Sequence, residues 1–236
     1  MGQLSFYSAD AHPRAVTDLE GVLCAHGRVT RFGRGSTARL GITLGTPPLP
    51  ADPADPDEDP ADPDEPADPA PPPPPDSLVA WRAHALRCAF LTRGVEAEVD
   101  DGPAGTAVVR SAFRADLVAL AARWSDRGVK AVPADLDLDG PRLRLWVLAA
   151  GRRDGRGYVL GLDPLAPSTH EPLRAAAARA GLDAALHLDP GAHPGATPGP
   201  DGDAPVLRLT GVRRLRRLAE LVGDRPRHVI DEVWPG

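Results

Sequence analysis

Twice in this chain an apolar, small-residue helical stretch halts at a glycine and leaves as a strand. One copy is DLEGVLCAHGRVTRF, residues 18–32, and the other is LAAGRRDGRGYVLGLD, residues 148–163. In the second, the Asp-Gly of RDGRG reads as the tight turn that delivers the strand. If the two are copies of one unit, the elements after each must repeat as well.

They do repeat in order. After Gly27 come two strand-like runs, RVTRF and TARLGITL, joined as a hairpin at GRGS. SLVAWRAHALRCAFLTRG then reads as a helix ending at Gly94. VEAEV and TAVVR form a second hairpin, followed by a helix with Ser111 as its N-cap and Phe113, Leu117, Leu120 and Trp124 on its buried face. The second half offers a helix from about Pro141 to Ala150 and the strand YVLGLD. A helix capped by Thr169 follows, then strands AALHL and VLRLT, and a last helix with Val212, Leu215, Leu218 and Val222 on one face. Each half reads helix, hairpin, helix, hairpin, helix.

Two segments fall outside that pattern. ADPADPDEDPADPDEPADPAPPPPPD, residues 51–76, holds ten acidic residues and no basic one, and its prolines, mutual repulsion and lack of apolar side chains bar it from a core. It is read as a disordered acidic insertion spanning 46–76. The Pro/Gly run over 189–205 is read as a loop. The whole chain has 33 acidic and 27 basic residues; without 51–76 it has 33 minus 10, or 23, acidic against 27 basic, so the rest carries about +4.

The first stretch carries a family resemblance. LEGVLCAHG, residues 19–27, resembles the LAGLIDADG motif of homing endonucleases, and LRLWVLAAG, residues 143–151, resembles a more degenerate second copy; a register with AGRRDGRG, residues 150–157, on the motif is the alternative. RGVKAVPADLDLDGPRL resembles the segment leading into the second motif, and LSFYSADAHP resembles the opening of WhiA-type sporulation regulators, the nearest members of that superfamily. The resemblance implies an α+β fold of two pseudo-symmetric αββαββα repeats, 1–125 and 126–236, with saddle-shaped antiparallel sheets backed by helices. It also implies that the two motif helices pack at the centre, through Gly21 on one and Ala149 and Ala150 on the other.

In active relatives each motif helix ends on a carboxylate that binds a divalent metal. Here those places hold His26 and Ala150, or Arg156 in the alternative register, so no catalytic residue, metal or cofactor is expected. The DNA-facing side of the saddle is expected to carry Arg28, Thr30, Arg39, Thr43, Arg110, His187 and Arg208, alternating with buried Val29, Leu40, Ile42, Val109, Leu207 and Leu209. Glu96 and Glu98 share that face and oppose it. The cluster Arg213, Arg214, Arg216 and Arg217 falls on the last helix, behind the sheets.

No Walker-type or dinucleotide loop, CxxC or HExxH spacing occurs, and Ser168 beside His170 makes no visible triad. The absence of an apolar run long enough for a membrane span, and of a signal-like start, leads to a cytoplasmic expectation with no membrane contact; Cys24 and Cys88 read as buried free thiols. WhiA-type regulators carry a further helix-turn-helix domain, and 13 residues follow Gly223 here, so DNA contact is expected from the saddle. The expected protein is a monomeric internal pseudo-dimer that binds duplex DNA in a regulatory role. An active or maturase-like homing endonuclease, acting on DNA or RNA, and a protein-interaction module are the alternatives.

Overall fold

The computed structural model describes residues 7–45, 78–102, 105–188, 204–226, 230 and 233–236. The acidic segment 46–76 and all of the 189–205 loop except its last two residues lie outside the described residues.

The chain enters through 3₁₀ turns at Ala9–Ala11 and Val16–Leu19, the second running into α1 (Glu20–Cys24). This helix is shorter than the 19–27 stretch implies. The backbone leaves it at Ala25, and Gly27 folds back so that its N–H donates to the Val22 carbonyl at 3.1 Å, a place where a Cβ would collide with that carbonyl group. There follow β1 (Arg28–Phe32), β2 (Thr37–Leu44), α2 (Leu78–Leu91), β3 (Ala97–Asp101), β4 (Ala107–Ser111) and α3 (Val118–Arg123). A short hairpin that the sequence did not announce, β5 (Ser125–Asp126) and β6 (Val129–Lys130), leads to α4 (Gly140–Ala150). Next come β7 (Gly151–Asp154), β8 (Gly157–Gly161), α5 (His170–Arg179), β9 (Ala185–His187), β10 (Val206–Leu209) and α6 (Val212–Val222).

The strands form two antiparallel sheets, ordered β1-β2-β4-β3 and β7-β8-β10-β9. These are one order written twice, and α1 to α3 and α4 to α6 punctuate them identically, so the fold is α+β with two αββαββα units. Strand alternation turns Leu40, Ile42, Val109, Leu207 and Leu209 into the core, while Val29 is half-buried. No helix packs on the opposite face of either sheet among the described residues, although Val159, between Arg152 and Arg208 on the second, is buried.

The two units join where α1 packs on α4. Gly21 makes this contact: a Cβ there would run into the backbone carbonyl of Arg142 and come within 2.9 Å of the Leu145 Cβ. The pairing therefore rests on Gly21 over Arg142 and Leu145, whereas Ala150 lies against Gly161. Beside it, Glu20 is buried and accepts hydrogen bonds from Arg123 Nε (3.0 Å), Trp124 Nε1 (3.2 Å) and Arg142 Nε (2.7 Å). One carboxylate thus ties α1, the end of α3 and α4 together. Asp139 caps α4 by accepting from the Arg142 N–H at 3.0 Å, with Pro141 in the first turn.

Several local expectations change. Ser111 ends β4 rather than capping a helix, because its hydroxyl is buried between the Leu40 N–H and the Ala112 carbonyl. Phe113 precedes α3 and stacks on Phe32 with ring centroids 5.1 Å apart. The Thr169 hydroxyl donates to the Ala166 carbonyl instead of capping α5. On α6 the buried positions are Leu218, Leu221 and Val222, while Val212 is exposed. Cys24 is buried as expected but Cys88 is exposed. Gly94 does adopt the left-handed conformation that ends α2, with φ +71°. Among the described residues no helix is long and apolar enough to cross a membrane.

Candidate nucleic-acid interface

The pairing registers place the side chains of the open faces row by row. On the first sheet Arg28 lies across from Gly41, Gly41 from Arg110, and Arg110 from Glu98. Thr30 lies across from Arg39 and Thr43 from Val108. On the second, Arg152 lies across from Val159, Val159 from Arg208, and Arg208 from Ala185, with His187 across from Val206. The rows correspond: an arginine follows the glycine that closes each central helix, and a second arginine sits two strands away. Arg28 matches Arg152, and Arg110 matches Arg208.

Residues of the two sheets meet in one cleft of about 760 Å³. Arg28, Thr30, Arg39, Thr43 and Arg110 line it from the first sheet, and from the second unit come Ala150 at the end of α4, Gly161 at the end of β8 and Asp163 just after it. Five of the seven residues expected on the saddle therefore share this cleft. His187 and Arg208 lie on the open face of the second sheet outside its lining. Glu98 is on the open face as expected, opposite Arg110.

The arginines are held loosely. Arg110 Nη2 is 3.0 Å from Asp100 Oδ2, and Arg208 Nη2 is 2.5 Å from Asp154 Oδ2, but neither ion pair has hydrogen-bond alignment. Asp100 Oδ2, Asp154 Oδ2 and Arg208 Nε are the buried side-chain polar atoms without a hydrogen-bond partner among the described residues. All three belong to these two pairs, whose carboxylates come from non-matching strands, Asp100 from β3 and Asp154 from β7. Both carboxylate oxygens nevertheless face their arginine at ion-pair distance. Arg28, about half exposed, stands 3.5 Å from Asp163, and Arg39 lies over the Phe113 ring at 4.6 Å. Arg152 is exposed and has no ion pair among the described residues.

The ends of the central helices face the floor of the cleft. His26 follows α1 and donates from Nε2 to the Thr43 carbonyl at 2.6 Å; burial pushes its pKa below the ordinary imidazole value, against the pull of that hydrogen bond. Lys130 Nζ donates to the Ala25 carbonyl (2.6 Å) and to Asp163 Oδ2 (3.1 Å). Burial lowers its pKa, and Asp163 works the other way. At α4, Arg82 from α2 donates to the carbonyls of Val147 (3.2 Å), Leu148 (2.6 Å) and Gly151. Burial brings the Arg82 pKa down to about 10, still cationic at neutral pH. A cation thus sits on the negative pole of each helix end, where it is electrostatically favoured.

This arrangement does not suit a divalent metal. Ala150 offers no ligand, His26 is engaged with Thr43, and the one carboxylate at the site, Asp163, already receives Lys130, the Leu165 N–H (3.0 Å) and Arg28. Among the described residues no group of three or more His, Cys, Asp or Glu side chains is placed to hold a metal ion. Sequence reading missed Lys130, Arg82, Asp163 and Arg152. Only Arg152 had a local signal, its place directly after Gly151 as Arg28 follows Gly27.

No protein-family model matches the chain, and no curated protein matches it. Among solved structures it is similar to the homing endonuclease I-WcaI bound to its DNA recognition sequence, with 12% identity and a TM-score of 0.49, over 94% of this chain and 83% of that one.

Proposed function

We propose that this chain is a catalytically inactive protein of the double LAGLIDADG type that binds duplex DNA across its two open sheet faces, as a monomer in a regulatory, WhiA-like role in the cytoplasm. The observation that carries the reading is the equivalent strand placement of Arg28 with Arg152 and of Arg110 with Arg208, the first of each pair lining the cleft and the second on the second sheet outside its lining. A duplex is long, uniformly anionic and helically periodic, and two matched pairs of cations suit its backbone better than a small ligand. We assign Arg28, Thr30, Arg39, Thr43, Arg110, His187 and Arg208 to this interface and add Arg152. We put the repeat boundary between residues 125 and 126, within β5, the first strand of the β5–β6 hairpin.

Exchange of partners is cheap at such a surface. An exposed arginine–carboxylate pair is worth about 0.2–1 kcal/mol, whereas each phosphate neutralised releases condensed counterions. The inactive assignment rests on His26, Ala150, Lys130 and Arg82 standing where two metal-binding carboxylates would be needed. Incubated with a random-site duplex library in magnesium or manganese, the protein is expected to retard DNA without cutting it. Metal-dependent cleavage abolished by His26→Ala would instead support the nuclease alternative.

The acidic segment bears on affinity through charge alone. Ten carboxylates tethered between β2, whose Arg39 and Thr43 line the cleft, and α2 compete with phosphate at high effective concentration. Deleting residues 51–76 should tighten duplex binding and steepen its salt dependence. An unchanged affinity at low salt would make the segment a spacer.

A further inference from the structure

On the helix side of the molecule, where α2 crosses α4 beside the amino-terminal segment, lies a separate cavity of about 260 Å³. Its apolar wall consists of Trp81 and Ala85 from α2 with Pro141, Leu145 and Leu148 from α4. Around this wall stand three guanidinium groups, Arg14, Arg93 and Arg144, and two carboxylates, Asp10 and Asp18.

Both carboxylates are committed. Asp18 Oδ2 accepts from Arg93 Nε at 2.9 Å and from the Ala15 N–H at 3.1 Å. Asp10 stands 3.5 Å from Arg144 and accepts the Asp224 N–H at 2.6 Å. Arg14 is exposed and has neither hydrogen bond nor ion pair among the described residues. The three cations also feel one another: burial is the main cause that lowers the pKa of Arg93 and Arg144, and the charge of Arg14 adds to it in both. An anion at Arg14 would relieve that repulsion. The cavity therefore has one cation in excess and an apolar wall beside it.

We propose that this cavity binds a small organic monoanion, its carboxylate on Arg14 and its short apolar body against Trp81, Leu145 and Leu148. The volume lies just below the roughly 300–1,000 Å³ of drug-sized pockets, which sets the ligand at metabolite size. One unmatched cation selects one negative charge, and the aromatic wall selects a carbon skeleton over an inorganic ion. The site is independent of the DNA-binding reading, because these residues lie on or beside α2, α4 and the amino-terminal segment and none lines the cleft.

Cys88 provides the probe. It lines the cavity, is exposed, and its Sγ lies 3.5 Å from His84 Nε2, whereas Cys24 is fully buried. Iodoacetate is itself a small carboxylate, and iodoacetamide is its neutral analogue. In both, sulfur displaces iodide: an S–C bond forms, the C–I bond breaks, iodide leaves and the thiol proton goes to solvent. The native full chain is treated with each reagent and the Cys88 peptide quantified by mass spectrometry, with glutathione as the reference thiol. The iodoacetate-to-iodoacetamide rate ratio at Cys88 is expected to exceed that of glutathione by about tenfold, the effect of one charge-assisted contact. The iodoacetate rate should saturate with concentration and be slowed by benzoate. Arg14→Gln should return the ratio to that of glutathione while leaving the iodoacetamide rate unchanged. A ratio at Cys88 equal to that of glutathione, or one that Arg14→Gln leaves intact, overturns the proposal.

Discussion

Alanine at Arg28, Arg110, Arg152 and Arg208 together is expected to weaken duplex binding by about 4,000-fold at roughly 0.1 M salt. Binding that varies as salt to the power of about −0.9 per neutralised phosphate makes each contact worth about eightfold there, and four such contacts multiply to that figure. The slope of log affinity against log salt should fall by about four, because each lost contact removes about one. The loss should be nearly the same on any sequence, since phosphate contacts position the protein without reading bases. The fold should survive, as the pairs given up are partly exposed and weakly aligned. Alanine at Arg213, Arg214, Arg216 and Arg217 is the matched control in charge. Those residues sit on α6, which packs on α4 and on the Ala9–Ala11 turn, and Arg214 and Arg217 already hold Asp183 and Glu220. That variant should bind within a few-fold of the parent. Titrations at two salt concentrations, with circular dichroism to confirm folding, decide it; the opposite ranking would make α6 the binding element.

The second large effect concerns stability. Glu20 is almost completely buried and receives three donors from two other elements, so Glu20→Ala leaves the Trp124 indole N–H without an acceptor and Arg142 with Asp139 as its remaining partner. Breaking a buried, hydrogen-bonded ion pair by removing one member costs about 3–5 kcal/mol, a large part of the roughly 5–15 kcal/mol that holds a typical domain. At about 2–4 °C per kcal/mol for a chain of this size, Tm should fall by roughly 6–20 °C. Glu20→Gln keeps the shape and an acceptor for the indole but not the charge, and should lie between. Glu171, whose pair with Arg174 is exposed on α5, is the reference: Glu171→Ala should shift Tm by no more than a degree or two. If Glu20→Ala melts with the Glu171 variant, the carboxylate does not tie the units together.

The element order could be read from the sequence because it depends on local patterns. The alternation over TARLGITL, the helix running from Pro141 to a glycine and the left-handed stop at Gly94 each carry their own signal, and the structure has each where the pattern put it. The misplaced residues are those whose roles are set by distant neighbours. Ser111 reads as a cap until Leu40, 71 residues away, proves to be its partner. Phe113 reads as helix core until Phe32 is seen beside it, and Val212 until α6 turns Leu221 inward instead. Arg152 falls between the helix end at Gly151 and the RDGRG turn, where no strand run is legible, yet β7 runs through it and the chain reverses after Asp154. The cations at the helix ends had no signal at all. Lys130 and Arg82 lie in stretches whose local pattern concerns only their own hairpin and helix.

Those two cations also cross between the two units. Lys130 answers the carbonyl at the end of α1 from 105 residues downstream, and Arg82 answers α4 from 66 residues upstream of Leu148. The first comes from a hairpin just before α4 and the second from the helix after β2, so the stoppers are neither the same residue nor at matching places in the two units. The end of each central helix is thus answered by a cation from outside its own unit, so removing Lys130 or Arg82 leaves a helix end without its partner.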